Sequence, residues 1–392
     1  MDVASSHDVG LTSLYTLSLL EQAKIAPALS SAKRTLALDS QRIQSWLVLS
    51  ECQSRSSDQL SALSTLRQAL TRFPDSLQVS WAYGLALVKN GQYQDAIAPL
   101  EDVMYRRSDP SVVFELAKCY FKTQQYSSAT ELNMMLVERY PSNAIYLRAT
   151  GESLLALKRI PEAVDKLVAA CSLDSTSIET YLLLTGAYQE QGDSSRALVV
   201  AATAVSVAPK DAMAWYNLGL LRMKHKQFDS AAKALGRAIA LRPSYGEAYF
   251  NLALTHEERG FLEDATNAFK RCALVSAQLA PDAYNSLAIM YRRNGQLDEA
   301  LRAHQQAISL RDTSSVLHIS RINSCMEAER CDLAATFIDE ALVKFPNQQQ
   351  VLYTCARCLL RVGDNQRVQQ IIERLENTSP DLAVQLKTLL RL

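Results

Sequence analysis

Small apolar residues return along the chain at a nearly constant interval. Ala28, Ala62, Ala96, Ala129, Ala163, Ala197, Ala231, Ala265, Ala300 and Ala334 are separated by 34, 34, 33, 34, 34, 34, 34, 35 and 34 residues, and Val368 continues the series at 34. Self-similarity of this period marks a repeat architecture, in which each unit buries its apolar stripe only against its neighbours. Counting each unit from nineteen residues before the small position gives starts at 9, 43, 77, 110, 144, 178, 212, 246, 281, 315 and 349. Eleven units then cover residues 9–382, with a tail over 1–8 and a terminal capping helix over 383–392.

A second small register runs beside the first. Position eight of the units holds Thr16, Ser50, Gly84, Ala117, Gly151, Thr185, Gly219, Ala253, Ala288 and Ala356, with only Ile322 bulky. Two small positions per unit allow two helices to approach closely. Gly91, Gly192, Gly260, Gly295 and Gly363 all stand at position fifteen, where a left-handed residue caps a first helix. Pro74, Pro141, Pro209, Pro243, Pro346 and Pro380 stand at position thirty-two, where a residue without an N–H stops a second helix. Each unit therefore reads helix, turn, helix, stop. Pro99 falls inside a second helix and predicts a kink there or a helix that starts late.

The run Trp215-Tyr216-Asn217-Leu218-Gly219, followed by Phe228, Ala231, Leu235, Ala238 and Pro243, resembles the tetratricopeptide repeat signature. The resemblance extends over almost the whole chain, although in the unit starting at 315 His318 and Arg321 occupy positions usually aromatic or aliphatic. It implies an all-α fold, an α-solenoid of about eleven units forming a right-handed superhelix whose first helices line a concave groove. It also implies that positions 2, 5, 9, 12 and 13 face the groove while positions 8, 20 and 27 pack.

On those positions two clusters stand out. The first comprises Trp81, Leu85, Val88, Phe114 and Phe121 with Lys89, Lys118 and Lys122 beside them, a combination suited to a peptide with apolar anchors and acidic flanks. The alternative is that these aromatics pack against an adjacent turn or the N-terminal segment. The second comprises Tyr216, Leu220, Met223, Phe250 and Leu254, next to Asn217 and Asn251. Those asparagines resemble the ladder with which the glycosyltransferase that modifies Ser and Thr with N-acetylglucosamine grips a peptide backbone, here continued only by Ser286 and Ser320. An asparagine amide equally satisfies neighbouring backbone groups. Lys224, Glu257, Glu258, Arg292 and Arg293 alternate in sign between consecutive units and are expected to pair with one another. The carboxylate clamp of co-chaperone members is missing from positions five and nine, which include Trp81/Leu85, Phe114/Lys118 and Arg148/Glu152.

Charge and chemistry narrow the reading. Lys plus Arg number 41 and Asp plus Glu 41, so no global field draws the protein to nucleic acid or an anionic membrane. No run of 18 apolar residues and no leader pattern predicts membrane insertion or secretion. Cys52, Cys119, Cys171, Cys272, Cys325, Cys331, Cys355 and Cys358 are scattered through helical segments, as reduced thiols of the cytoplasm, cilium or nucleus would be. Cys325, Cys331, Cys355 and Cys358 could supply four thiolates to zinc, but Cys325 and Cys355 fall at core positions, so buried thiols are the expectation. No phosphate loop, nucleophile elbow or His-Glu-x-x-His motif is present, and no cofactor is expected.

The predicted function is a protein–protein interaction scaffold, a subunit of a larger assembly such as a ciliary cargo coat, intraflagellar transport particle or mitotic ubiquitin ligase. Its partners would be other proteins, met through extended segments or large surfaces, with a homodimer or hetero-complex both compatible. A freestanding peptide adaptor and the substrate-binding arm of an enzyme carried on another chain are the alternatives.

Overall fold

A computed structural model of the chain describes residues 9–390. The tail over 1–8 and the last two residues of the expected capping helix lie outside the described residues. No strand occurs among the described residues, and contacts divide the chain into two compact bodies, Met1–Ala197 and Leu198–Leu392.

In the first body five helical hairpins follow one another. They are α1 (Val9–Glu21) with α2 (Ile25–Leu38), α3 (Ile43–Arg55) with α4 (Gln59–Arg72), α5 (Leu77–Lys89) with α6 (Tyr93–Arg106), α7 (Pro110–Lys122) with α8 (Tyr126–Arg139), and α9 (Ala144–Ala156) with α10 (Ile160–Leu173). Helix α11 (Ile178–Gln191) follows, and α12 (Ser194–Val207) contains the division. Each second helix packs both on its own first helix and on the next one: α2 on α3, α4 on α5, α6 on α7, α8 on α9 and α10 on α11.

The second body repeats the scheme. It holds α13 (Ala212–Lys224) with α14 (Phe228–Leu241), α15 (Gly246–Glu258) with α16 (Leu262–Val275), α17 (Ala280–Arg293) with α18 (Leu297–Leu310), α19 (Ser315–Glu327) with α20 (Ala335–Lys344), and α21 (Gln349–Arg361) with α22 (Asn365–Glu376). A last helix, α23 (Pro380–Leu390), packs on both α21 and α22. Pro380 opens this helix, so the cap begins three residues before the 383 expected from the sequence. A proline at the first helical position gives up an N–H that has no intrahelical partner anyway. Helix α17 starts at Ala280 rather than 281, which absorbs the one long interval in the alanine series.

Close approach explains the two small registers. All ten alanines of the first series, and Val368, are at most 1% exposed. At Gly84, Gly151 and Gly219 an added Cβ would lie 2.6, 2.6 and 2.7 Å from Leu100, Leu167 and Leu235, each a buried residue of the paired second helix. The leucine occupies the volume that a side chain on the first helix would need, so the pair interlocks only if that position stays small.

The turns are more uniform than the glycines suggest. Position fifteen has positive φ in every unit: in the five glycines, and also in Ala23, Ser57, Gln124, Lys158, Lys226 and Glu329. The backbone geometry is thus imposed by packing on either side, and six units tolerate a side chain that disfavours it. Side-chain caps start several helices, with Asp109 accepting from the Ser111 N–H at 2.9 Å, Asn143 from Ile145 at 3.0 Å and Asp211 from Ala214 at 2.7 Å. Helix α6 runs unbroken through Pro99 and starts on register at Tyr93, so the late start expected there is not found. The helix that does start late is α20, preceded by a single 3-10 turn over Cys331–Ala334.

Two outcomes follow. Gly84→Ala destabilises the chain, because about 1–3 kcal/mol of overpacking against Leu100 outweighs the roughly 1 kcal/mol gained in helix propensity. In a Leu100→Ala background the same change becomes stabilising, and urea unfolding of the four proteins reads the reversal of sign. Gln124→Gly relieves a left-handed conformation at an exposed turn and raises stability by about 0.5–1 kcal/mol, measured in the same way.

Candidate functional site

In the first body the aromatic residues at the groove positions are half-buried and open onto two separate clefts. Trp81, on α5, packs against the apolar cluster that includes Leu87, Leu100 and Leu116. Its other side lines a cleft of about 420 Å³ together with Leu47, Glu51, Leu85 and Lys89. Among the described residues the indole N–H of Trp81 meets no acceptor, whereas those of Trp46 and Trp215 donate to the Ser40 and Pro209 carbonyls at 2.9 and 3.0 Å. Val88, expected beside it in the groove, is 6% exposed and belongs to the core, because it points between α5 and its neighbours.

Phe114 and Phe121, one unit further on, line a cleft of about 300 Å³ between α7, α8 and α9. Phe114 leans on Tyr146 with ring centroids 5.3 Å apart, and Phe121 meets Tyr126 edge-on at 5.4 Å. Lys118 pairs with Glu115 at 3.2 Å and the Lys122 ammonium lies 5.9 Å from the Phe121 ring, so both cations border the cleft. The cluster read as one patch in the sequence is thus two clefts, each with aromatic walls and lysine at the rim.

In the second body the corresponding residues are more tied down. Tyr216, on α13, leans on Tyr245 with ring centroids 4.9 Å apart, and its hydroxyl accepts a hydrogen bond from the Asn251 amide at 3.1 Å. Burial pushes the Tyr216 hydroxyl above its ordinary pKa. The same Asn251 amide nitrogen donates to the Glu247 carbonyl at 2.8 Å, so this rung is engaged within the protein, while Asn217 on α13 is half-exposed. Phe250 packs edge-on against the fully buried Phe269 at 5.3 Å. Arg293 pairs with Glu257 of α15, and Arg292 with Glu327 of α19, so both arginines bridge consecutive first helices.

Two buried polar groups in the second body had a signal in the sequence but not a role. Arg321 is 1% exposed. Its guanidinium donates to Gln305 Oε1 at 2.9 Å and to Glu340, and lies 4.1 Å from the centre of the Phe337 ring. His318, equally buried, packs edge-on against Phe345. An arginine fixed by two acceptors and an aromatic face is a structural ion pair, and it joins α19 to the late-starting α20. His304 bonds Ser324 at 2.8 Å, and burial, with Arg321 and Arg292 adding, lowers its pKa to about 3.

Cys325, Cys331, Cys355 and Cys358 share one apolar cluster. Burial pushes the Cys325 and Cys355 thiols up to about 11 and about 12, and among the described residues no set of three or more His, Cys, Asp or Glu side chains is placed to hold a metal ion. No described helix is long and apolar enough to cross a membrane.

Paired helices stacked through small residues, with half-buried aromatics left on the first helices, define a helical-repeat solenoid. The chain belongs to the tetratricopeptide repeat family: profiles of that repeat match residues 53–112, 187–226 and 216–271, then 87–151, and 282–311. It is 27% identical over 199 residues to a Drosophila melanogaster BBSome complex member BBS4 homolog, covering 50% of this chain and 40% of that one. It is 20% identical over 246 residues to the peroxisomal targeting signal receptor of Kluyveromyces lactis, covering 63% and 38%. The chain therefore spans less than half the length of these relatives. Among solved structures, the C-terminal part of a TPR repeat-containing protein from Cytophaga hutchinsonii superposes with a TM-score of 0.52 at 17% identity, over 61% of this chain and 98% of that one, which is a likeness of fold.

His304 makes stability depend on pH. Its folded pKa lies below the ordinary value of 6.5, so the unfolded chain binds the proton first and the stabilisation present above pH 6.5 is lost as pH falls towards about 3. Between pH 6.5 and 4.5 the loss attributable to this group is roughly 2–3 kcal/mol. A His304→Gln variant should lack that part of the slope in urea unfolding; identical slopes would show that the imidazole charges without cost.

Proposed function

We propose that this chain is a non-catalytic interaction subunit of a multiprotein assembly, holding segments of partner proteins at the groove positions of its first helices. The observation that carries this reading is the placement of Trp81, Phe114 and Phe121. Each is half-buried, each opens onto a cleft, and each has lysine at the rim. An apolar anchor pocket ringed by charge is the arrangement that concentrates binding energy in protein interfaces. The likeness to a BBSome complex member favours an assembly of that type, and with it a ciliary setting.

The second reading is a freestanding receptor for short peptide signals, favoured by the likeness to a peroxisomal targeting signal receptor. In this reading Asn217 and Asn251 would help to hold a peptide backbone, and Tyr216 and Phe250 its side chains. The two readings differ in the lifetime and stoichiometry of the complexes formed.

The test is affinity purification of the tagged chain from native cells, followed by size exclusion. A fixed set of proteins co-eluting at constant ratio supports the subunit reading; the chain eluting alone, with partners recovered only in trace, supports the receptor. Trp81→Ala should lower partner recovery several-fold with helical content unchanged by circular dichroism. Recovery unaffected by both Trp81→Ala and Phe250→Ala would remove the aromatic faces from the account, and turnover of a substrate by the isolated chain would overturn the non-catalytic assignment.

A further inference from the structure

Trp81 stands between two clefts. The cleft of about 420 Å³ is bounded by α3 and α5, and a second, of about 230 Å³, by α5, α6 and the start of α7. Trp81 and Gln78 line both. Leu47, Ala82 and Leu85 give the first an apolar wall, and Leu77, Val103 and Val112 do the same for the second. Of the chain's three tryptophans only Trp81 has an indole N–H without an acceptor among the described residues, and its nitrogen is not sealed from solvent. A segment lying along the groove therefore meets an open donor at the boundary of two apolar recesses.

The charges around the indole are unbalanced in one direction. Glu51, in the first cleft, is already paired with Arg55 at 2.7 Å, and Asp109, in the second, caps α7 by accepting from the Ser111 N–H at 2.9 Å. Lys89 and Arg107, one in each cleft, have no ion pair among the described residues. Carboxylates on either side of a bound segment thus each find a cation.

Spacing selects the backbone of that segment. The first helices α3, α5 and α7 touch in succession, and the axes of packed helices lie about 8–10 Å apart. A polyproline II segment turns once in three residues and rises about 9 Å in doing so, which puts side chains i and i+3 on one face at that interval. A β-strand sends i and i+3 to opposite faces, and its same-face neighbours are only about 7 Å apart. The polyproline II backbone has no internal hydrogen bonds, so its carbonyls are free to accept from the indole. Its prolines bring no N–H that the apolar walls would leave unmet.

We propose that the Trp81 face binds a proline-rich segment of a partner protein in the polyproline II conformation. Apolar side chains i and i+3 enter the two clefts, a backbone carbonyl between them accepts from the Trp81 indole N–H, and Asp or Glu on the flanks meets Lys89 and Arg107. The assignment rests on the protein-binding reading above and names the segment that this part of the groove selects. A segment already ordered before it binds loses little freedom on an aromatic wall, and the two cations hasten encounter.

Panning a random peptide library displayed on phage against the full chain supplies the ligand. The expected sequences carry proline between two apolar residues three apart, with Asp or Glu outside them. A synthetic copy of an enriched peptide should bind about tenfold more weakly to Trp81→Phe, which keeps an aromatic wall and removes the donor. Thermal unfolding checks that this variant is folded. Lys89→Glu and Arg107→Glu, both at exposed positions, should each weaken the peptide several-fold. Inserting one residue between the two apolar positions of the peptide should remove most of the affinity with the protein unchanged. Ligands without proline, apolar residues spaced by two, unchanged affinity for Trp81→Phe, or tolerance of the insertion would each overturn the assignment. Ligands that respond to Phe114→Ala or Phe250→Ala but not to Trp81→Phe would overturn it while leaving the protein-binding reading intact. A library that enriches nothing overturns the assignment, and partner recovery unchanged by Trp81→Ala would then remove the protein-binding reading of this face as well.

Discussion

Everything in this fold depends on how closely two helices of a pair can approach. Leu100, Leu167 and Leu235 occupy the space that a side chain at Gly84, Gly151 or Gly219 would fill, and the alanines at position twenty are sealed from solvent. Because each second helix also packs on the next first helix, this close approach is repeated from unit to unit within each body. The constraint is local: no unit has a core of its own, and each is completed only by its neighbours. The uniform left-handed residue at every internal turn is a consequence of the same packing, since six of those positions adopt it without glycine.

The same arrangement determines which residues are left for binding. Core positions are consumed by the stack, so large aromatics at the groove positions of the first helices can be only half covered. Trp81, Phe114 and Phe121 are left that way in the first body, whereas in the second Tyr216 is held by Tyr245 and Asn251, and Phe250 by Phe269. Function in such a chain is carried by differences between units rather than by the repeat. Asn133, in place of leucine, and Arg321, in place of an aliphatic residue, are two such differences: one leaves a buried amide oxygen without a partner, the other closes an ion pair with Glu340.

The repeat was legible because its signal is steric and periodic. Small residues at two registers, glycine after one helix and proline after the other suffice to place the helices, since each answers to one backbone requirement. The departures are equally physical. Val88 reads as a groove residue by position, yet a one-position rotation on a helix carries a side chain into the core. Pro99 neither delays nor interrupts its helix, while α20 starts late where no proline stands, next to the buried Arg321 and Glu340 pair. Asp109, Asn143 and Asp211 cap first helices with residue types suited to that place, but the recurring small, glycine and proline positions do not single them out. The unpaired Oδ1 of Asn133 was not readable at all, because satisfaction depends on what lies across the cleft and only three-dimensional placement reveals it.

The dependence of each unit on its neighbours is tested most directly by hydrogen–deuterium exchange on an Ala96→Leu variant, which forces extra volume into a position with no room for it. The account predicts that protection falls first in α5 and α6, next in α4 and α7, and is retained in helices further along the chain. Loss of protection spread evenly over all helices, or none in α5 and α6, would contradict it.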